Sequence, residues 1–203
     1  MARVLVSIPS FDGRVKSRTA ESVANLCCDG HELLFANVSG YDCAMARTKQ
    51  AEMAVELGAD YLLAVDSDMV VPQDALVNLL SHGVALCMGF YTRGTSDCGE
   101  TNVVVRGCRD LSGCYLCSEI AEMREGGEFL VPVKAAGMGC ALVRADVFER
   151  VRPPWFQFTR YGDGSWLGED YFFCEKCRQA GITPHIDTRV GCGHIHDRVL
   201  EAI

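Results

Sequence analysis

No stretch of the chain approaches the roughly 20 consecutive apolar residues of a membrane span. Nor is there a leader pattern with a cleavage site, because Met1-Ala2-Arg3 runs straight into the strand-like Val4-Leu5-Val6-Ser7-Ile8. A cytoplasmic chain without a transmembrane segment is expected. Positive charge is scarce: 19 Lys and Arg stand against 27 Asp and Glu, a net charge of −8. That balance argues against holding a nucleic-acid backbone by counterion release, although a nucleotide can still bind through a metal and local cations. Internal repeats and linkers are lacking. So is a Gly-rich phosphate cradle after the first strand, where the sequence reads Pro9-Ser10-Phe11-Asp12-Gly13-Arg14.

The 203 residues are 49% hydrophobic and 23% charged, enough apolar material for one well-buried domain spanning 1–203. Twelve cysteines are many, but they are scattered through predicted strands and helices, as at Cys87, Cys140 and Cys174. A disulfide scaffold would be shorter and richer in loops, so most of them read as buried thiols that pack as small hydrophobes. Cys98, Cys108, Cys114 and Cys117 are set apart by their Gly-rich surroundings and by a C-x2-C spacing in the last pair. They form a candidate structural zinc site. Cys174 and Cys177 share that spacing but fall inside a helical pattern, whereas zinc knuckles usually need a turn.

Strand and helix signals alternate from the start. A strand over Arg3 to Ile8 is broken by Pro9, and Asp12-Gly13 turns the chain toward a helix near Val15 to Cys27. Leu33 to Val38 reads as a strand, and Asp42 caps a helix that runs to Leu57 and stops at Gly58. After the apolar run Tyr61 to Val65, Pro72 opens a helix through Leu76, Leu79 and Leu80, and Val84 to Met88 forms another strand. This alternation predicts an α/β fold with a mostly parallel, doubly wound sheet. From Gly94 to Val133 the texture changes to short β-rich pieces between Gly, Cys and charged residues, which reads as an insertion or a small antiparallel excursion. Regular structure resumes with a strand over Gly137 to Val143 and a helix from Ala145 to Val151. An aromatic loop through Trp155, Phe156 and Trp166 leads to a helix starting at Gly168-Glu169-Asp170, and a last strand covers His185 to Thr188.

Asp66-Ser67-Asp68 carries the most chemistry. The run before it, bounded by Gly58 and Pro72, reads as a strand buried on both faces. Its carboxylates then stand at the C-terminal tip, where open α/β sheets bind ligands. Carboxylates at i and i+2 suit a hard divalent cation carrying phosphate oxygens.

The order of motifs resembles glycosyltransferases of the GT-A fold, especially family 2-like enzymes. It comprises a Pro-ended first strand, an Ala46-Arg47 helix, Asp66-Ser67-Asp68, Gly89-Phe90-Tyr91-Thr92-Arg93, Gly137-Met138-Gly139, Gly168-Glu169-Asp170 and a C-terminal Gly193-His194. The resemblance covers most of the chain, and only the 94–133 region has no counterpart. It implies a metal-dependent enzyme that moves a sugar from a nucleotide-diphosphate sugar to an acceptor hydroxyl. The cofactor would be Mn²⁺ or Mg²⁺, acting as a Lewis acid on the leaving diphosphate.

By the same resemblance Asp68 holds the metal, Asp66 orients the ribose or shares the metal, and His194 completes the coordination with His196 as its rival. Asp170 becomes the general base of an inverting transfer, and Glu169 binds or orients the acceptor; the same carboxylates would also suit a helix N-terminus. Arg47 and Arg93 would approach the diphosphate, with Arg47 favoured by its place in the helix before the acidic strand. Thr48 follows it where the family usually has Asn. The nucleoside falls to Pro9, Ser10, Phe11 and Asp12, with Phe11 stacking and Asp12 accepting a base N–H. Trp155, Phe156 and Trp166 offer faces for sugar rings or pack in the core. The acceptor would be a hydroxyl-bearing glycan, lipid-linked glycan, protein or small molecule. With little chain left for an acceptor domain, a homo-oligomer or a partner would complete that side. Two other functions stay open: a nucleotidyltransferase of related fold, and a non-catalytic, zinc-stabilised binding module.

Overall fold

The computed structural model describes residues 1–92, 99–104, 113–160, 164 and 166–195. The chain begins β1 (Arg3–Ser10), α1 (Ser17–Ala24), β2 (Glu32–Ser39), α2 (Cys43–Glu56), β3 (Tyr61–Val65), β4 (Met69–Val70), α3 (Ala75–Ser81) and β5 (Leu86–Phe90). It continues β6 (Glu100–Val104), β7 (Cys114–Leu116), α4 (Cys117–Glu125), β8 (Leu130–Pro132), β9 (Ala135–Ala136) and β10 (Cys140–Arg144). Last come α5 (Val147–Arg150), β11 (Thr159–Arg160), β12 (Trp166–Leu167), α6 (Glu169–Gln179), β13 (His185–Gly191) and β14 (Gly193–His194).

Among the described residues the main sheet has seven strands in the order β2-β1-β3-β10-β5-β13-β8. Strands β2, β1, β3, β5 and β13 share one direction, while β10 and β8 run against their neighbours. The sheet is therefore mainly parallel and the fold mixed α/β. A three-stranded antiparallel sheet, β7-β6-β9, lies beside it. The segment read from sequence as an excursion supplies β6, β7 and α4, and also β8, which pairs with β13 at the edge of the main sheet.

Period-2 alternation explains why the central strand β3 is apolar throughout. Along β3, Leu62 and Ala64 enter one core while Leu63 and Val65 enter the other, and each is at most 1% exposed. The first core gathers Ala51 and Ala54 of α2, Ile120 of α4, Phe148 of α5, and Phe173, Cys174 and Cys177 of α6. The second gathers Val23 of α1 with Leu76 and Leu79 of α3. Helices thus cover both faces of the sheet. No helix among the described residues is long and apolar enough to cross a membrane.

Element boundaries shift where local chemistry intervenes. The helix expected near 15–27 is Ser17–Ala24, because Lys16 is extended and hands its N–H to Ser67 O at 2.9 Å. The helix expected from Pro72 begins at Ala75, whose N–H closes a turn on Pro72 O at 3.0 Å. Asp42 caps α2 as expected, its side chain accepting from Met45 N–H at 2.9 Å. Cys174 and Cys177 lie inside α6, fully buried.

Two substitutions gauge the scaffold by urea unfolding. Asp42→Ala should cost about 1 kcal/mol through the lost cap. Phe173→Ala should cost about 3–5 kcal/mol, since its ring stacks on Phe156 at 4.6 Å and on Phe148 at 5.9 Å. Unchanged midpoints in both variants would contradict these roles.

Candidate active site

At Val65 the acidic strand ends, and the chain turns with Asp66 N–H donating to Gly139 O and Met69 N–H to Asp66 O. Met69 and Val70 then form β4, which pairs antiparallel with β14 and sets His194 opposite Met69. Ile195 N–H adds a bond to Asp68 O at 2.9 Å. The segment around β14 is thereby folded back onto the acidic turn, and His194 Nε2 comes to 3.4 Å from Asp68 Oδ2.

Two clefts open here. One, of about 260 Å³, is lined by Pro9, Ser10, Phe11, Tyr41, Cys43 and the Asp66-Ser67-Asp68 turn. The other, of about 380 Å³, is lined by Tyr91, Asn102, Gly137, Trp166, Asp170, Tyr171 and His194. Asp68 belongs to the first and His194 to the second, so their contact joins the two.

Beneath the clefts lies Arg47, 2% exposed. Its Nη2 donates to both oxygens of Asp66, at 2.9 and 3.1 Å, its Nε to Glu169 Oε1 at 3.2 Å, and its Nη1 to Met138 O at 3.4 Å. Cys43 Sγ donates to the same Glu169 oxygen at 2.8 Å. Burial disfavours the cation, but Asp66 and Glu169 override it and leave the Arg47 pKa raised. Asp66 is raised as well, by burial first, with Arg47 opposing. The Cys43 thiol is pushed up to about 12 by burial and by Glu169, against the pull of Arg47, so it serves as a neutral donor.

Asp170, at the start of α6, stands apart from that network. Its Oδ1 accepts from Tyr171 N–H at 2.7 Å. Burial, with repulsion from Glu169, lifts its pKa to about 6. A carboxyl tuned there is ionised at neutral pH yet basic enough to accept a proton.

The residues singled out from sequence are therefore partly gathered. Pro9, Ser10, Phe11, Asp66 and Asp68 line one cleft, and Asp170 and His194 the other. Phe11 is 79% exposed at its rim. Asp12 turns away to accept from Arg14 N–H at 3.0 Å, an Asx turn in place of a base contact. Arg47 is not a cation offered to a diphosphate; it is committed to Asp66 and Glu169 because two largely buried carboxylates need it. Glu169 is 7% exposed, lines neither cleft itself, and faces Arg47 and Cys43. Arg93 and His196 lie outside the described residues, as do Cys98 and Cys108 of the zinc expectation.

Two of the three loop aromatics are structural. Phe156 stacks on Phe173, and Trp155 donates its Nε1–H to Val151 O at 2.7 Å. Trp166 is 66% exposed beside Asp170, with the Arg160 guanidinium 4.3 Å over its ring.

Of the three residues expected to hold a metal, Asp68 and His194 approach each other. Ligands about 2.1 Å from one ion at a right angle lie about 3 Å apart, close to the 3.4 Å between Asp68 Oδ2 and His194 Nε2. A carboxylate oxygen and an imidazole nitrogen are donors that would suit Mn²⁺. Asp66 is drawn back onto Arg47 instead, and among the described residues no three His, Cys, Asp or Glu side chains gather closely enough to hold an ion. Tyr91, Asn102, Tyr171 and Cys43 were missed from sequence. The one signal was Gly137-Met138-Gly139, since glycines two apart share a face of extended chain and leave room for a bulky neighbour.

No protein-family model matches the chain, and no curated protein sequence is similar to it. Solved structures do share its fold. A197 from STIV superposes with a TM-score of 0.65 at 18% identity, over 96% of this chain and 86% of A197. GalNAc-T7, crystallised with UDP, GalNAc and Mn²⁺, superposes with a TM-score of 0.65 at 14% identity over 96% of this chain. This chain spans only 44% of the GalNAc-T7 chain. At such identities the likeness is one of fold.

Arg47→Met should destabilise the protein by about 3–5 kcal/mol in urea, because it strands two carboxylates that the cation compensates. Asp170 should show itself through pH. A carboxyl whose folded pKa lies above its unfolded value binds its proton more tightly in the fold, so ionising it costs stability. That cost is absent below the ordinary aspartate value of 3.8, grows up to about 6 and is complete above. In metal-free protein Asp170→Asn should melt above the parent at alkaline pH, and the gain should fade as pH falls through about 6. Parallel melting curves across that range would exclude a raised Asp170.

Proposed function

We propose that this protein is a GT-A-fold glycosyltransferase that moves a sugar from a nucleotide-diphosphate sugar to an acceptor hydroxyl with inversion, using Mn²⁺ or Mg²⁺. The observation that carries the reading is the placement of Asp68 and His194 between two clefts at the strand ends, with Asp170 in the second. The shared fold with GalNAc-T7, whose crystal structure holds UDP, GalNAc and Mn²⁺, supports it.

In this reading the nucleotide occupies the cleft of Pro9, Ser10 and Phe11, where the exposed Phe11 ring offers a stacking face. Asp68 and His194 would hold the cation. When bound, it neutralises charge on the leaving diphosphate. Asp66, anchored by Arg47, instead keeps the turn in place and offers its remaining lone pairs to the ribose. The acceptor lies over Trp166 in the second cleft. Asp170, ionised above pH about 6, takes the proton from the acceptor hydroxyl as that oxygen attacks opposite the leaving group. Glu169, held by Arg47 and Cys43, fixes the first turn of α6 so that Asp170 faces the cleft.

A thermal-shift panel of UDP, GDP, CMP and dTDP sugars with and without Mn²⁺ tests the donor site. One class should stabilise the protein only with metal, by about 2.7 kcal/mol at a hundredfold excess over its dissociation constant. Asp68→Asn and His194→Ala should each abolish or sharply weaken that response; an undiminished response in both would remove the metal assignment. Asp170→Asn should keep it while turnover drops by about 10² to 10⁴. Parent turnover should rise with pH through about 6, and the product should carry the inverted anomeric configuration. Retained configuration, or near-parent turnover in Asp170→Asn, would defeat the general-base role.

A further inference from the structure

Tyr91 follows directly on β5 and lines the second cleft. Its phenol lies in a slot that exists only because residues 137 and 139 are glycines. A Cβ at Gly139 would meet ring carbons at 2.8 and 3.0 Å, and one at Gly137 would overlap the hydroxyl. Asp170 Oδ2 borders the same point, 3.2 Å from where the Gly137 Cβ would stand. The tyrosine hydroxyl and the carboxylate of the proposed base thus lie near each other beside Gly137, in the lining of the second cleft.

The surroundings hold Tyr91 there. Its N–H donates to Asn102 Oδ1 at 2.8 Å and its carbonyl accepts from Asn102 N–H at 3.0 Å, while Asn102 Nδ2 donates to Gly137 O at 3.2 Å. One asparagine therefore ties the tyrosine backbone to the glycine that makes room for its hydroxyl. The ring also meets His194 edge-to-face at 5.4 Å between centroids. Within this braced arrangement the hydroxyl makes no hydrogen bond to any described residue. At neutral pH a tyrosine phenol carries its proton, so the hydroxyl is a donor. A half-buried donor with no partner among the described residues, set beside a carboxylate acceptor, is half of a recognition pair: what fits between them is a group that accepts from one and donates to the other.

A hydroxyl group is such a group. Resting on the glycosyltransferase reading, we infer that Tyr91 is a substrate-binding residue whose hydroxyl donates a hydrogen bond to the attacking oxygen, the acceptor hydroxyl or a water in its place, and aims that oxygen's proton at Asp170. The donated bond occupies one lone pair and leaves the other to form the new bond to the anomeric carbon as the bond from that carbon to the diphosphate breaks, while the O–H proton passes to Asp170. The ring has a separate duty, packing against His194, and the two duties are separable by substitution.

The test uses full-length protein with Mn²⁺ and the UDP, GDP, CMP and dTDP sugars as probes, reading nucleotide affinity by calorimetry and nucleotide release with water as the attacking group. Tyr91→Phe keeps the ring and removes the donor. It should bind nucleotide within about twofold of the parent while kcat for release falls about tenfold, the loss one hydrogen bond of ordinary strength produces. Tyr91→Ala should lose the rate and also weaken Mn²⁺ binding, since the ring that packs edge-to-face on His194 is then gone. Parent-like kcat in Tyr91→Phe together with a defective Tyr91→Ala would make Tyr91 a packing wedge and overturn the inference, leaving the glycosyltransferase reading intact. A parent that neither binds nor turns over any sugar nucleotide would overturn both.

Discussion

A single buried cation, the Arg47 guanidinium, holds the site together. It rises from α2, takes both oxygens of Asp66 at the end of β3, and reaches Glu169 at the start of α6. Three elements from distant parts of the chain are thereby locked in one geometry. Burying such a network gains little against a well-packed apolar core, but breaking one member leaves charges with no compensation. Its value lies in position: the turn bearing Asp68 and the helix start bearing Asp170 cannot move independently. In each acidic pair Arg47 holds one carboxylate, and its neighbour, Asp68 or Asp170, lines a cleft.

This division of labour runs through both acidic motifs. In Asp66-Ser67-Asp68 the first carboxylate is largely structural and the last is turned outward, 39% exposed. In Glu169-Asp170 the first is bound by Arg47 and Cys43, and the second carries the raised pKa. Each pair spends one charge to position the other. The C-terminal ribbon works alike, since β14 exists to pair with β4 and in doing so carries His194 to Asp68.

Much of the scaffold was legible. Alternating apolar strands and capped helices predicted a mostly parallel sheet covered on both faces, because a strand buried on two sides must be apolar at every position. The Asp42 cap and the buried α6 cysteines followed from local rules that tertiary packing did not override. Boundaries near Val15 and Pro72 were less legible, since Lys16 commits its N–H to the distant Ser67 O and Pro72 O closes a turn with Ala75. The aromatic loop was legible only as a choice between sugar faces and core packing for Trp155, Phe156 and Trp166, and packing against Phe148 and Phe173 sets the first two apart.

The chemistry of the site divides along the same line. Sequence alone determined which residue types stand at strand ends and helix starts: Asp66 and Asp68 after an apolar run, Glu169 and Asp170 after Gly168, and Gly193-His194 near the end. Those are consequences of local pattern, readable from spacing of two to four residues. Only the tertiary structure decided which member of each pair is free, that Arg47 faces inward, that Asp12 turns away, and that Tyr91 fills the slot over Gly137 and Gly139. Each of those outcomes depends on a partner more than ten residues away except the Asp12 turn, and the energies that settle them are desolvation and pairing of buried charge. Such terms belong to the folded environment, and no local spacing encodes them.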